Sequence, residues 1–558
     1  MKKSNPILGI TLEGFQVFEN PTYIPLDRLT LIFGPNSAGK SAVQDALELC
    51  RRLQLTEYST VQMIDGEARN LLERHWRRSD RENDLADRFC IGVKYALDDD
   101  FYSLNGRIDH GGPTPYYEAP VLLESRWIFQ RTEDYQVPYF GSFEFSIESE
   151  LLTKNSLHLT ETGYICTFCV NTAHPLLQKI QLKVDFAEVA RAYPEEVNFK
   201  DGIFTVLRGT NGFQCCGLGV EEKRGRWLGY YPPRTTDKEK EHYNLLHACV
   251  AELGEVIGNI LYLCHEYTSL QPQKVNASRT VPGRDDLTFQ LGMPPVHELT
   301  GDLAQRFLPF GNPSFLPLAN SLAGLNVNAF YDGNLSRDVN RAFSDHLFLE
   351  QGYRIDYEYR VLLSKANSEA IRESFENFDL DDEDEDSKHT IKVNLQPASI
   401  GFLVELFLRD GKGRKHLFED VGSGIGYVLP VLCAIFDKSL SSNYCFIQQP
   451  ELHLHPALQA AMGDIFLEAS TSGKQILIET HSEHMLLRIL KRIRQTHLQA
   501  NIASELKINA DDICVLYFDP SPDGTTIVKR LRITEDGEFM DRWPRGFFGE
   551  RDLELFDE

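Results

Sequence analysis

Apolar runs of strand length alternate with segments of helical periodicity near both ends of the chain. At the N-terminal end, the run 29–33 is followed by helical spacing over 42–53. At the C-terminal end, further apolar runs lie at 443–447, 475–478 and 513–518, with helical spacing at 425–436, 457–469 and 483–493. Continuous apolar runs are typical of strands buried on both faces. The pattern predicts an α/β fold built from both ends of the chain.

Between these ends the pattern changes to strand-like runs separated by glycine, asparagine and proline. The predicted strands lie at 89–96, 142–147, 157–160 and 164–170, and an amphipathic helix is predicted at 242–262. The stretch 343–363 mixes helix and strand signals. We therefore divide the chain into an N-terminal lobe (1–56), an inserted α+β region (57–394) and a C-terminal lobe (395–558).

A phosphate-binding motif connects the first predicted strand to the first predicted helix. Residues 34–41 read GPNSAGKS, which is the G-x-x-x-x-G-K-S pattern. A strand, a glycine loop and a helix in this order present backbone N–H groups and a helix N-terminus to the phosphates of a nucleotide. Lys40 is then expected to contact the β- and γ-phosphates, and the Ser41 hydroxyl to bind Mg²⁺. A chance match is disfavoured because the flanking strand and helix are both present.

Three segments of the C-terminal lobe carry polar residues directly after predicted strands or at the start of a predicted helix. Ser423 and Gly424 begin a helix and offer a hydroxyl and free N–H groups to an anion. Residues 448–456, QQPELHLHP, come directly after the strand 443–447, and residues 479–482, ETHS, come after the strand 475–478.

Net charge restricts the partners of the chain. Its 558 residues carry a formal charge of −25, which repels nucleic acid and anionic membranes on average. DNA binding would need a local basic patch. The cluster 74–81 around Trp76 is one candidate, and a solvated helix face is the favoured interpretation. No apolar run approaches the ~20 residues of a membrane helix, and no signal peptide is recognised, so we expect a cytoplasmic protein.

Other metal-like patterns are weaker. Cys166 and Cys169 have zinc-like spacing that Cys215-Cys216 could complete, but residues three apart in a strand face opposite sides. The carboxylate run 379–386 is interpreted as a loop tip, because like charges repel and no apolar residue anchors them. The H-x-H pattern of His453 and His455 is also compatible with metal ligation. A place in the loop that follows the strand 443–447 explains this pattern better than a metal site does.

Together, the motifs resemble the split ATPase head of the ABC/SMC/RecF/OLD superfamily. The likeness is greatest to bacterial AAA-type ATPases with a DUF3696-like C-terminus, and rests on 34–41, 420–424, 449–456, 479–484 and 536–548. It implies a split P-loop head with a large inserted α+β region, binding ATP and Mg²⁺. The residues implied for nucleotide contact are Gly34, Asn36, Ser37, Ala38, Gly39, Lys40, Ser41, Ser423 and Gly424.

The same resemblance assigns further roles. Ser423 and Gly424 would contact the γ-phosphate bound by a second copy, and His481 would sense that phosphate. Related heads carry two acidic residues after the strand 443–447, for Mg²⁺ and for the attacking water. Here these positions are Gln448, expected at Mg²⁺, and Gln449, expected at the water; an amide cannot accept a proton and is a weaker Mg²⁺ partner than a carboxylate. Glu451 is the nearest carboxylate and the candidate substitute for the base, but its offset of two positions need not aim it at the water, so we expect slow hydrolysis or none.

These inferences predict a regulatory ATPase that dimerises around ATP. The resemblance extends to ATPase subunits of the anti-phage systems Septu, Paris and some retrons, in which a partner chain or a fused domain carries the toxic activity, often a nuclease. The stretch 494–558 is too short for the nuclease domain fused to OLD-family heads, so a separate effector is expected. A RecF- or SMC-like role in DNA maintenance and a non-hydrolysing, ATP-dependent scaffold remain the alternatives.

Overall fold

The computed structural model describes about half of the chain. The described residues are 7–55, 74–77, 88–97, 121–131, 139–147, 149–160, 163–174, 185–194, 197–206, 273–275, 277, 288–291, 334–348, 352–363, 369, 372–373, 400–418, 420–421, 423–436 and 444–544. The predicted helix 242–262, the acidic run 379–386 and Cys215-Cys216 lie outside this part.

The described part is a mixed α/β structure. Its strands are β1 (Ile7–Glu13), β2 (Thr22–Pro25), β3 (Leu29–Phe33), β4 (Arg88–Leu97), β5 (Val121–Arg131), β6 (Tyr139–Ile147), β7 (Glu150–Thr160), β8 (Gly163–Asn171), β9 (Val197–Lys200), β10 (Ile203–Val206), β11 (Gln273–Val275), β12 (Thr288–Leu291), β13 (Arg354–Leu363), β14 (Ile400–Arg409), β15 (Lys415–His416), β16 (Tyr444–Gln448), β17 (Gln475–Glu479), β18 (Ile513–Pro520) and β19 (Thr526–Leu531). Its α-helices are α1 (Ala42–Leu55), α2 (Phe186–Ala192), α3 (Asn334–Ala342), α4 (Ser423–Phe436), α5 (Pro456–Thr471) and α6 (Glu483–His497).

A six-stranded sheet joins the two ends of the chain, in the order β11-β16-β17-β3-β18-β19. All neighbouring pairs are parallel except β18 and β19, which are antiparallel. The N-terminal strand β3 thus lies between two C-terminal strands. Because parallel strands end at the same edge, the residues that follow β3, β16 and β17 meet there.

Both faces of this sheet are buried, which explains the continuous apolar runs in the sequence. Alternate residues of a strand point to opposite faces. On one face Ile32 and Leu477 pack with α1 and the β1–β4 region, whereas on the other Leu31 and Ile478 pack with α4, α5 and α6. The strands are therefore held from both sides, and the loops at their carboxyl ends have fixed starting points.

An antiparallel nine-stranded sheet forms the second layer, in the order β2-β1-β4-β5-β6-β7-β8-β10-β9. The strands β1 and β2 come from the predicted N-terminal lobe, and β1 pairs both with β2 and with β4 of the inserted region. A third sheet contains β12, β14 and β13, with β15 paired to β14. A single π-helical turn (Phe343–Leu347) continues α3, in agreement with the mixed signals predicted for 343–363.

The predicted elements near both ends are confirmed to within a few residues at most boundaries, whereas several other elements were not predicted. Among these are β2, β5, β9, β10, β11, β12, β15, α2 and α3, and β7 is much longer than the predicted 157–160. Among the helices that the structure describes, none combines the length and apolar character needed to cross a membrane.

Candidate functional site

The loop 34–41 adopts the backbone that its glycines predict. Gly34 and Gly39 have φ values of +142° and +79°, and Ser37 also has a positive φ of +65°. A Cβ at Gly39 would overlap the side chain of Val17, so this position has no room for a side chain. Asn36 and Ser37 are exposed, while Ala38 is fully buried. The loop therefore has a buried inner part and an exposed tip.

Lys40 lies inside this loop rather than in solvent. Its side chain is only 3% exposed, and its Nζ donates to the carbonyls of Gly34 and Pro35, at 2.9 Å each. The Nζ is also 3.5 Å from an oxygen of Glu479. Burial lowers the pKa of Lys40, and the carboxylate of Glu479 acts in the opposite direction. A buried ammonium with one nearby carboxylate is a suitable partner for the phosphate groups of an anion.

Gln448 and Glu479 meet at the ends of β16 and β17. The two residues are register partners, and Glu479 is in turn paired with Ile32 of β3. The Gln448 Nε2 donates to Glu479 Oε2 at 3.3 Å, and its Oε1 accepts from the Ala277 N–H at 3.4 Å. The predicted metal-binding residue Gln448 therefore lies next to a carboxylate that the sequence analysis did not select. Glu479 ends a buried strand, as Gln448 does, and this position was the signal that could have identified it.

Glu451 stabilises the turn that carries His481. One carboxylate oxygen accepts from the Thr480 hydroxyl at 2.9 Å, and the other accepts from the His481 N–H at 2.8 Å. Gln449 has a positive φ of +46°, and its N–H donates to the Glu479 carbonyl at 2.7 Å. Such strained non-glycine backbone often occurs at functional sites. The catalytic roles of Gln449, Glu451 and His481 stay predictions.

His481 and Lys40 lie in the same site although 441 residues separate them in the sequence (481 − 40). Burial lowers the pKa of His481, and the charge of Lys40 lowers it further. The imidazole is therefore neutral at pH 7 and has one N–H to donate. Ser482 then caps α6, since its Oγ accepts from the Met485 N–H at 3.2 Å.

The predicted signature pair lies at the start of α4, against the loop that follows β16. A Cβ at Gly424 would lie 3.2 Å from the His453 carbonyl oxygen, so the backbones approach closely. The His453 ring stacks on Tyr427 of α4, with centroids 4.4 Å apart. The side chain of Ser423 lies outside the described part. The start of α4 and the loop after β16 are therefore packed against each other, whereas contact of Ser423 and Gly424 with a second copy stays a prediction.

Three hydrogen bonds that were not predicted from the sequence hold the phosphate loop and the segments next to it. The Thr526 hydroxyl donates to the Ala38 carbonyl at 3.0 Å, and the Thr526 N–H donates to the Val17 carbonyl at 3.2 Å. The side chain of Gln16 donates to Asp45 of α1 at 3.0 Å. These contacts come from a hairpin and a strand far apart in sequence, for which no local pattern exists.

The histidines of the H-x-H pattern have structural contacts. His455 caps α5 by accepting from the Ala457 N–H at 3.3 Å, and His453 stacks on Tyr427 as described above. Within the described ranges, no three histidine, cysteine, aspartate or glutamate side chains come together as a metal site.

The donor set of the site fits a magnesium nucleotide. Lys40 and the backbone of the glycine loop suit phosphate groups. The Ser41 hydroxyl, the Gln448 amide oxygen and the Glu479 carboxylate are oxygen donors, which Mg²⁺ prefers. Because Mg²⁺ commonly takes only one or two protein carboxylates together with phosphates and water, no larger acidic cluster is required.

Comparisons with known proteins find a match to an ATPase family over part of this chain. Residues 350–486 match the family described as AAA ATPase domain (AAA_15), and residues 508–557 match DUF3696, a protein family of unknown function. No curated protein matches the chain. The chain is structurally similar to an SMC head domain from Thermotoga maritima, with a TM-score of 0.36 and 8% identity, covering 95% of this chain and 100% of the other.

Two further structures give similar values. A Smc head domain with a coiled coil and joint, derived from Pyrococcus yayanosii, has a TM-score of 0.35 and 12% identity, covering 94% of this chain and 97% of the other. A SmcHead bound to the C-winged helix domain of ScpA has a TM-score of 0.38 and 12% identity, covering 95% and 99%. Residues 350–486 are thus similar to an AAA ATPase domain and residues 508–557 to DUF3696, while the phosphate loop 34–41 precedes both matched segments.

Proposed function

We propose that this chain is an ATP-binding regulatory ATPase that dimerises around ATP and controls a separate effector protein, a nuclease or toxin, in bacterial anti-phage defence. The observation that carries the nucleotide part is the position of Lys40. Its Nζ is buried between two loop carbonyls and lies 3.5 Å from Glu479. Residues from both ends of the chain therefore surround a single phosphate site.

The pair Ser423-Gly424 supports the dimer. Gly424 lies at the start of α4 beside the loop 449–455, the position from which the superfamily closes the nucleotide site of a second copy. Closure of two sites by two identical surfaces gives a twofold dimer. The neutral imidazole of His481 would then donate one hydrogen bond to the terminal phosphate.

Slow hydrolysis follows from the side chains around the phosphate. Gln448 and Gln449 cannot accept a proton. Both oxygens of Glu451 are engaged with Thr480 and His481, which leaves this carboxylate a positioning role. Loss of a general base typically slows a reaction about 10²–10⁴-fold. A scaffold that binds ATP without hydrolysing it is therefore the second candidate.

Nucleotide binding tests the first part of the proposal. Binding of a fluorescent ATP analogue, and the mass of the protein in solution with and without ATP, should show tight binding and an ATP-dependent dimer. Lys40→Ala should lose binding, whereas Lys491→Ala, which removes an exposed lysine of α6, should bind like the wild type. Equal binding by wild type and Lys40→Ala would overturn the assignment.

Phosphate release separates the two candidates. A dimer that forms with ATP and releases phosphate slowly identifies the regulatory ATPase, whereas a dimer with no release above background identifies the scaffold. The defence role is tested by phage plaque counts on cells that express the chain with its neighbouring genes. Protection that disappears with Lys40→Ala supports the role, and equal plaque counts with and without the intact genes contradict it.

A further inference from the structure

Gln448 is neutral, but the carboxylate of Glu479 lies next to it in the structure. Gln448 Nε2 lies 3.3 Å from Glu479 Oε2, and the other oxygen of Glu479 lies 3.5 Å from Lys40 Nζ. Glu479 is therefore in contact with both the amide of β16 and the lysine of the phosphate loop. Its side chain is 14% exposed, so it is not fully enclosed by its neighbours.

The nearby carboxylates of this region are directed elsewhere. Glu451 uses one oxygen for the Thr480 hydroxyl and the other for the His481 N–H. Asp45 accepts a hydrogen bond from the side chain of Gln16. In the part of the chain that the structure describes, Glu479 is the carboxylate whose contacts include both Lys40 and Gln448.

An amide at 448 is the natural neighbour of a carboxylate at 479. Two carboxylates at this separation would repel, and one of them would have to bind a proton. The Gln448 amide instead donates to Glu479 while its oxygen accepts from the Ala277 N–H. The two strand ends thus carry one negative charge between them, and that charge sits on β17.

We propose that Glu479 supplies, from the neighbouring strand, the carboxylate toward the nucleotide's Mg²⁺ that Gln448 cannot supply. This inference rests on the proposed function, because it assigns a residue of the same ATP site. It explains how a chain with glutamine at the end of β16 retains a magnesium-dependent site. A carboxylate is a stronger partner for Mg²⁺, whether direct or through bound water, than a neutral amide.

The test is the gain in ATP affinity that Mg²⁺ produces, measured by titration with excess Mg²⁺ and with EDTA in its place. Wild-type protein should bind ATP more tightly with Mg²⁺. Glu479→Gln should reduce that gain roughly 10–100-fold, the usual cost of losing an outer or inner carboxylate of a metal site. The matched control is Glu483→Gln, four residues further along, which should keep the wild-type gain.

A charge swap provides the second variant. Gln448→Glu combined with Glu479→Gln keeps one carboxylate and one amide at the two strand ends, and should restore most of the gain. Electron paramagnetic resonance with Mn²⁺ in place of Mg²⁺ gives an independent readout, since Glu479→Gln should weaken the binding of Mn²⁺ in the ATP complex and the swap should restore it.

A role limited to pairing with Lys40 gives a different result. Glu479→Gln would then change ATP affinity in EDTA and leave the gain from Mg²⁺ unaltered, which would overturn the inference. A wild-type protein that binds ATP equally with and without Mg²⁺ would overturn it as well. Failure of the wild type to bind ATP under either condition would instead contradict the proposed function, so the two failures are distinguishable.

Discussion

Replacing Glu451 should loosen the turn between β17 and α6 before it affects any other part of the protein. Both carboxylate oxygens of Glu451 accept hydrogen bonds, from the Thr480 hydroxyl at 2.9 Å and from the His481 N–H at 2.8 Å. Thr480 is fully buried, whereas His481 is half-buried. Glu451→Ala therefore leaves one buried donor without its acceptor and one donor that water can reach.

The structure sets the size of the effect. A hydrogen bond to a charged group contributes about 1.5–3 kcal/mol, and a buried donor left without a partner costs about 1–3 kcal/mol. Water can replace the acceptor of the His481 N–H, so we expect Glu451→Ala to lower the free energy of unfolding by about 2–4 kcal/mol. Glu451→Gln keeps an oxygen for the His481 N–H but presents an NH₂ group in place of the oxygen that accepts from Thr480, so we expect an intermediate cost of about 1–2 kcal/mol.

Denaturant unfolding and hydrogen exchange at the His481 amide provide the assay. The exchange rate should rise in the order wild type, Glu451→Gln, Glu451→Ala. The control is Glu538→Ala, because Glu538 is 73% exposed and lies 3.8 Å from Arg494, and it should cost less than about 0.5 kcal/mol.

Hydrolysis separates positioning from base catalysis. If Glu451 only positions His481, Glu451→Gln should keep most of the residual phosphate release. If it is the general base, both substitutions should reduce that release about 10²–10⁴-fold. The positioning role is refuted by a Glu451→Ala protein with wild-type stability and an unchanged exchange rate at His481.

Two further predictions concern the phosphate loop and the helix pair behind it. Gly39→Ala should cost about 1–3 kcal/mol and abolish ATP binding, because φ is +79° and the new Cβ would overlap Val17. Asp464→Asn should lower the free energy of unfolding by about 2–4 kcal/mol, measured by denaturant unfolding, since it breaks the contacts of a 4%-exposed carboxylate with Arg488 at 2.6 Å and Arg492 at 2.7 Å. Burial acts to raise the pKa of Asp464, but the two arginines outweigh it and the pKa is lowered. The stabilisation is therefore complete above the unfolded value of about 3.9 and is lost as the pH falls through the folded value, so wild type and Asp464→Asn should converge in acid.

Each of these predictions has a matched control. Gly413→Ala has nearly the same backbone, with φ of +80°, but nothing lies within 4 Å of the added Cβ, so ATP binding should be unchanged. Equal loss of ATP binding in both glycine variants would contradict the role of Val17. For Asp464, the control is again Glu538→Ala, which removes the exposed partner of Arg494. A difference in the free energy of unfolding between wild type and Asp464→Asn that stays constant at all pH values would contradict the assigned pKa shift.

Local periodicity determined most of the secondary structure of the two ends. The buried runs 29–33 and 475–478 were identified because both faces of those strands are covered, which leaves an unbroken apolar signal. The strand β5 was missed because it mixes apolar residues with Glu124, Arg126 and Gln130. Hydrogen bonding to β4 and β6 on its two sides stabilises β5 as a strand, although its own sequence does not indicate one.

The sequence by itself determined the phosphate loop, since its glycine spacing encodes the backbone that Gly34 and Gly39 adopt within a few residues of each other. The tertiary structure decided which distant residues surround Lys40. Glu479 reaches it because β17 pairs with β3, a register set by burying both strands between two apolar layers. The sequence placed a glutamine where a carboxylate was expected, and only the neighbouring strand revealed a carboxylate next to it. Contacts across hundreds of residues depend on strand order, which no local pattern contains.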